Sequence, residues 1–430
     1  MQDPDPVLVD DLEVDVVIPA HNEAGTIALC LASVARQTKK PNSITVIDDG
    51  SSDETAAIAQ AFASANNIAV RVIRRRRPIG KTPGLKIESR NLEGDVEFIL
   101  DGDTILESPD YIEKTVQQLY RVPGIAATFG MVYPLRERDR AAVEQFDTIR
   151  QLKEAFPSLD ISPQFSPLRR IARGITNLYR DALYEFIQKF LYSGLQNLYG
   201  SVPNPIGCAV AYRREYLKEL FDRYEPEMGD NLTSSEDIFF GSAFAVQGYH
   251  CRQVPDVITR SEEPEFQSLP RQLVKWTSAW FQTSYRLPVV LSSPFKVVKR
   301  IKHRRANRDV ANRRRVVDGY RQSFGMQVAE RLGRPSGWAN LFVMFEKVSF
   351  VIVLLTMIAI EAWVPLAITI GADLFFYMVI LAVFSDEFWL KSIAKGAVVT
   401  PIRYATLLLD LVTIVLFLFD LVTGRRHWRK

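Results

Sequence analysis

The chain has 430 residues, 47% of them hydrophobic and 24% charged, with a net charge of only +3. That length exceeds one ordinary domain, and so small a positive excess gives no ground for a nucleic-acid partner. Asp3, Asp5, Asp10, Asp11, Glu13 and Asp15 open the sequence without a basic or apolar stretch, which points away from a secretory signal and toward a cytoplasmic amino-terminal domain.

Residues 14–20, VDVVIPA, form a short β-branched apolar run that ends in a loop, as a buried parallel strand does. Residues 26–37 follow with helical spacing, and residues 43–47 give a second strand that runs into DDGSSDET, where Ser52 is expected to cap a helix over 56–65. Two more strands are expected at 69–73 and 96–100, so the order is that of a doubly wound α/β layer with ligand loops at the strand carboxyl ends. Residues 141–199 turn helical and aromatic, an insertion suited to shaping an acceptor groove, before an apolar strand over 206–212. The catalytic domain is thus expected to occupy residues 1–293, with the insertion at about 141–200.

Beyond it lies a basic tract, KVVKRIKHRRANRDVANRRR, in a juxtamembrane segment set at 294–338. A membrane region over 339–430 follows, with candidate spans at 341–360, 364–384 and 398–422, each near the roughly 20 residues that cross a hydrocarbon core. The basic tract belongs on the cytoplasmic side against anionic lipid. Glu346, Lys347, Asp373, Arg403, Asp410 and Asp420 interrupt the spans and are expected to face protein or a polar path. A three-span count would put the basic terminus outside the cytoplasm, so two or four crossings stay open.

Polar motifs fall in the expected ligand loops. PAHNE offers Pro19, Asn22 and Glu23 at the end of the first strand, and Asp48 and Asp49 of DDGSSDET can accept hydrogen bonds from nucleoside N–H and hydroxyl groups. Asp101 and Asp103 of DGDT flank a glycine and can grip a divalent cation that also binds diphosphate. Taken singly, each motif is equally an ordinary acidic turn. Cys30, Cys208 and Cys251 and the four histidines lack metal-ligand spacing.

Together these motifs resemble the GT-A domain of family-2 glycosyltransferases. Two later segments extend the resemblance. SSEDIFFG carries Glu236 and Asp237, like the family's ED element, and RQLVKW carries Gln272, Lys275 and Trp276, like the QxxRW element of hyaluronan, chitin and cellulose synthases. Lys275 stands where the family usually has arginine, keeping the charge but losing the two-pronged hydrogen bonding. RPIGKTPGL, with Lys81, is similar to the family's GKxxAL segment, and GCAVAYRREYL places Gly207 and Cys208 where the family lines its acceptor pocket.

The resemblance implies an α/β GT-A fold, a doubly wound mixed sheet, followed by interfacial and transmembrane helices. It implies an inverting transferase that takes a sugar from a nucleotide diphosphate sugar, UDP by analogy, to a growing β-linked glycan. Asp237, with Glu236 beside it, would be the general base. Pro19, Asn22, Glu23, Asp48, Asp49, Lys81, Asp101, Gln272 and Lys275 would hold the donor. Asp103 and Asp101 would bind Mg2+ or Mn2+, and Gly207, Cys208 and Trp276 would meet the acceptor. Two rivals remain: a single-sugar transferase for a lipid-linked acceptor, and a noncatalytic sugar-nucleotide-binding membrane scaffold. An integral protein of the plasma or inner membrane, with its catalytic domain cytoplasmic and a homo-oligomer or export partner, completes the expectation.

Overall fold

The computed structural model describes residues 11–161, 166–229, 232–233, 235–292 and 345–423. The chain divides into two compact units. The first comprises Met1–Tyr184, Pro205–Leu232 and Arg252–Leu269, and the second Glu185–Asn204, Thr233–Cys251 and Pro270–Lys430.

The first unit is built on a mixed sheet. Strands β1 (Val14–Ala20), β2 (Ser43–Asp48), β3 (Arg71–Arg74) and β4 (Val96–Leu100) are parallel, joined through helices α1 (Ile27–Ala35), α2 (Thr55–Asn66) and α3 (Lys81–Asn91). Further along come β5 (Thr104–Leu106), α4 (Tyr111–Tyr120), β6 (Ile125–Pro134), α5 (Glu137–Glu144), α6 (Asp147–Ala155) and α7 (Pro167–Tyr184). Strands β7 (Ala209–Arg213) and β8 (His250–Ser261) complete an eight-stranded order, β3-β2-β1-β4-β7-β6-β8-β5, in which β7 runs antiparallel to β4. Val14, Val16, Ile18, Val46, Val96, Phe98 and Leu100 pack with Ile27, Leu31 and Ile58 in the largest apolar core. Burial on both faces explains why these strands read as predominantly apolar runs.

One expected cap is absent. Ser52 does not close the start of α2; Asp53 Oδ1 accepts the Thr55 N–H at 3.0 Å, while the Ser52 N–H goes to Asn22 Oδ1 at 2.9 Å. The aspartate is placed to serve the first turn, and Ser52 is drawn to the neighbouring loop. Strands β5, β6 and β8 were not anticipated, and the strand expected at 206–212 is confined to Ala209–Arg213.

The second unit is helical. A π-helical stretch, Glu185–Tyr192, leads into α8 (Ser193–Tyr199), and after α9 (Arg214–Met228) of the first unit come α10 (Glu236–Gln247), α11 (Leu269–Arg286) and α12 (Pro288–Ser292). The basic tract at 296–315 lies outside the described residues. A π-helical turn, Phe345–Phe350, then precedes α13 (Val351–Ala359), α14 (Trp363–Phe384) and α15 (Trp389–Val422). Among the described residues two helices, α14 and α15, rather than three are long and apolar enough to cross a membrane. The described part of the expected first span is the π-helical Phe345–Phe350 followed by α13, which ends at Ala359 just before Glu361, whose φ of 57° leaves the right-handed region; residues 341–344 lie outside the described set.

Several charges of this region are partnered within the unit. Arg403 holds Asp373 with both guanidinium nitrogens, one at 2.9 Å, and Tyr404 donates to the same carboxylate at 2.8 Å. Lys347 and Thr277 both donate to Asp410 at 2.6 Å, and Lys395 meets Glu185 at 2.8 Å.

Candidate active site

In the first unit the loops after β1, β2 and β4 are tied into one edge. The Asn22 N–H donates to Ser51 Oγ at 2.9 Å, the Glu23 N–H to Thr55 Oγ1 at 2.8 Å, and the Ala24 N–H to Asp53 Oδ2 at 3.1 Å. Asn22 adopts a φ of 61°, a left-handed turn that asparagine tolerates. From β4, the Gly102 N–H reaches Pro19 O at 3.1 Å and the Asp101 N–H reaches Cys208 O at 2.8 Å.

The two acidic residues of the second loop have different surroundings. Asp48 is buried; its Oδ1 accepts the Ser51 N–H at 2.9 Å, and Arg74 lies 3.5 Å from its Oδ2. Asp49 accepts the Ile79 N–H at 3.0 Å, the Gly80 N–H at 2.7 Å and Arg75 Nη1 at 2.8 Å. Burial pushes its carboxyl up, but those hydrogen bonds win and hold it below the usual carboxylate range. Asp49 therefore fastens the arginine-rich loop to the sheet edge. Gly50 permits that fastening: its φ is 71°, and a Cβ there would meet Pro78 N at 2.8 Å. Beside it, Gly50, Ser51, Arg74, Arg75 and Arg76 line a cavity of about 320 Å³.

Lys81 opens α3 and joins distant parts of the sequence. Its Nζ lies 2.7 Å from Asp101 Oδ1 and donates to Gly207 O at 3.3 Å. One lysine thus meets both the first carboxylate of DGDT and the glycine that the sequence places in the acceptor pocket. Asp103 Oδ1 accepts from Thr104 Oγ1 at 2.8 Å, and its carbonyl accepts the Glu262 N–H at 3.0 Å. Burial pushes the Asp103 carboxyl up, against the pull of the Thr104 hydrogen bond, and Glu262 adds repulsion. Glu23 is also pushed well up, by burial first and then by the charge of Asp103. Acids so crowded favour a shared cation. Among the described residues no three His, Cys, Asp or Glu side chains converge on a metal-sized point.

Several residues of this edge carry no sequence signal of their own. Arg140 of α5 pairs with Glu262 and donates to Gly25 O at 2.9 Å; Arg173 of α7 meets the same glutamate. Arg180 pairs with buried Glu263 at 2.7 Å. Adjacent glutamates after a strand look like a solvated turn until the arginines from two helices are seen on them. Cys208 is buried with Val132 and Tyr184, and burial, followed by the charges of Asp101 and Asp103, pushes its thiol well up, which suits packing rather than nucleophilic attack.

The remaining candidates belong to the second unit. Glu236 and Asp237 occupy the first turn of α10, where the helix dipole favours acids. Asp237 Oδ1 accepts from Ser235 Oγ and from the Ile238 N–H, the latter at 2.8 Å. Tyr192 is buried close enough for the Asp237 charge to add to burial in pushing its phenol up. Gly241 of the same helix is crowded; a Cβ there would meet Asn204 Cα at 2.4 Å. Gln272, Lys275 and Trp276 share α11 at spacings of three and four, all partly exposed, so one helix face presents them together.

Residues 15–221 match the family model described as Glycosyl transferase family 2. The likeness to glycosyltransferase family 2 thus lies in residues 15–221, and the fold is a GT-A-like mixed sheet with two carboxyl-terminal apolar helices that could span a membrane. Among curated relatives, an N-acetylglucosaminyltransferase of Rhizobium leguminosarum bv. viciae is 26% identical over 283 residues, covering 64% of this chain and 58% of the relative. Another of the same description, from Bradyrhizobium diazoefficiens, is 25% identical, covering 63% of this chain and 50% of the relative. The chain thus spans little more than half the length of these relatives. Among solved structures, the mannosyltransferase PcManGT of Pyrobaculum calidifontis, in complex with GDP-Man and Mn2+, is similar in fold, with a TM-score of 0.50, 16% identity, and coverage of 97% of this chain and 90% of that one.

Proposed function

We propose that the chain is an inverting, metal-dependent glycosyltransferase that moves a sugar from a nucleoside diphosphate, by analogy UDP, onto a growing β-linked glycan at the cytoplasmic face of a membrane. The curated relatives' description supports N-acetylglucosamine as the sugar. The observation that carries the reading is the meeting of Lys81, Asp101 and Gly207 at the edge where β1, β2 and β4 end. Asn22, Glu23, Asp48 and Asp49 form or brace the donor edge, Pro19 lends its carbonyl to the DGDT turn, and Lys81 balances diphosphate charge. When bound by Asp101 and Asp103, Mg2+ or Mn2+ supplies charge stabilisation for the departing diphosphate. Asp237, with Glu236 alongside, takes the proton of the acceptor hydroxyl. Gln272 and Lys275 serve the diphosphate, and Trp276, Gly207 and Cys208 meet the acceptor. The lysine at 275 offers a point charge where a guanidinium would bind in a planar fork.

The test offers membranes containing the full chain a panel of radiolabelled nucleotide sugars with Mg2+ or Mn2+, and reads released nucleotide and product length. A ladder of products from UDP-N-acetylglucosamine is expected. A single-addition product would assign transfer to a lipid-linked acceptor instead, and donor binding without turnover would leave a sugar-nucleotide-binding scaffold. Asp237→Asn is expected to abolish transfer while donor affinity stays near the parent value, because it removes basicity but little volume. Normal turnover in that variant would remove Asp237 from the role of base.

A further inference from the structure

Helix α5 supplies a buried arginine that joins two loops of the donor edge. The helix is seated on the end of β8: Leu135, just before it, donates its N–H to Ser261 O at 2.8 Å, and Arg260 lies 3.4 Å from Asp139. At the next position along α5, Arg140 has only 6% of its surface exposed. Its Nη1 donates to Gly25 O at 2.9 Å, in the loop that carries Asn22 and Glu23, and its Nη2 is paired with Glu262. A planar guanidinium serves two acceptors in fixed directions, which a lysine ammonium does not impose.

Glu262 is in turn fixed to the second loop. Ser261 pairs with Thr104 across β5 and β8, and the Glu262 N–H donates to Asp103 O at 3.0 Å. Through Glu262, Arg140 therefore links the loop after β1 to the DGDT turn after β4. The two loops already touch at their base, where the Gly102 N–H reaches Pro19 O at 3.1 Å and a Cβ on Gly102 would meet Glu23 Cγ at 3.3 Å. Farther out the carboxyl groups of Glu23, Asp103 and Glu262 crowd one another, and Arg140 is drawn to both glutamates. Stability alone gives little reason for this arginine. Burying a guanidinium costs much of what its pairing returns, and Arg173 also holds Glu262, so that carboxylate keeps a cation without Arg140.

We propose that Arg140 is a positioning residue for the donor, setting the separation between the loop that meets the nucleoside and the turn that meets the diphosphate, an inference that rests on the reading of this edge as the nucleotide-sugar site. A ligand that spans both loops depends on their separation, whereas one that reaches only the first loop does not. UDP and uridine are such a pair.

The purified full chain in detergent, with Mn2+ in the buffer, tests this through the dissociation constants of UDP and of uridine for the parent, Arg140→Lys and Arg140→Met. Arg140→Met is expected to weaken UDP about tenfold, roughly the worth of one charged hydrogen bond, and to leave uridine close to the parent. Arg140→Lys keeps a charge for Glu262 but not the planar fork, and is expected to fall between the two. Equal weakening of UDP and uridine marks a general disturbance of the fold and overturns the positioning role. Parent-like UDP affinity in both variants overturns it as well, and in either case the donor reading stands. Where the parent takes GDP instead of UDP, GDP and guanosine serve as the pair. A parent that binds none of the four overturns the donor reading and the inference with it. Melting temperature and near-ultraviolet circular dichroism report the folding of each variant. If Arg140→Met does not fold, Arg140→Lys decides alone, and parent-like UDP affinity in it overturns the proposal.

Discussion

Gly50 and Glu97 show how much single positions decide. The DDGSS motif is visible in the sequence, but whether its glycine marks any loose turn or a close approach is not. The approach of Pro78 N to within 2.8 Å of a notional Cβ, at a φ of 71°, settles it. Gly50→Ala is expected to lower stability by about 1–3 kcal/mol through strain at that backbone, and to weaken UDP binding as the arginine loop shifts. An unchanged melting temperature together with unchanged UDP affinity would show that the loop absorbs the methyl group. In the sequence Glu97 is masked by the apolar residues around it in VEFIL. It is fully buried in β4 and bonded to Ser89, and burial, despite the Ser89 hydrogen bond, pushes its carboxyl up to about 8. The sign follows from linkage. Between its ordinary value near 4.5 and about 8 the folded chain holds a proton that the unfolded chain has lost, so stability falls as pH rises through that window. Melting curves of the parent are expected to decline from pH 5 to pH 8, whereas Glu97→Gln flattens the decline and is the more stable of the two at pH 8.5. Parallel curves for the two proteins would mean that Glu97 is already ionised at pH 5.

At the scale of elements, the parallel layer was legible and the antiparallel half was not. Strands β1, β2 and β4 are buried on both faces and show it as predominantly apolar runs, with a single interior acid in β1 and in β4, ending at polar motifs. Strand β8 reads HCRQVPDVITRS, with charges and a proline inside it; partners on the sheet, not its own propensity, make it a strand. The candidate motifs stand out because unusual polar residues follow strands, whereas Arg140, Arg173 and Arg180 do not, because a helical arginine is ordinarily solvated. Arg180→Met tests whether the pair it forms is structural. Glu263 would be left buried, without its cation, at a cost of about 3–5 kcal/mol, and the loss should appear as a lower melting temperature that Arg180→Met with Glu263→Gln partly recovers. A single variant as stable as the parent would show that Glu263 takes up a proton at little cost.

For the whole molecule, the sequence announced a soluble part followed by apolar helices, but the chain divides differently. It passes between the two units five times, at 184/185, 204/205, 232/233, 251/252 and 269/270, so residues 185–204 and 233–251 belong with the apolar helices although nothing in their composition sets them apart. What the sequence did announce was that the charges in those helices would need protein partners, and the Arg403–Asp373 pair tests what such partnering is for. Asp373 lies midway along the 22 residues of α14, and Arg403 reaches it from α15 with Tyr404 beside it. If the pair only neutralises two costly charges, its replacement by apolar residues should be tolerated, because desolvating both ions offsets most of their attraction. Arg403→Leu alone leaves Asp373 with a single phenol donor, and is expected to lower the unfolding temperature of the detergent-solubilised chain markedly. Asp373→Leu with Arg403→Leu is expected to return it close to that of the parent. Glycan synthesis by the double variant then separates the two uses of the pair: retained synthesis leaves it a structural clasp between α14 and α15, whereas a stable but inactive double variant means that the charges themselves serve the reaction or its product.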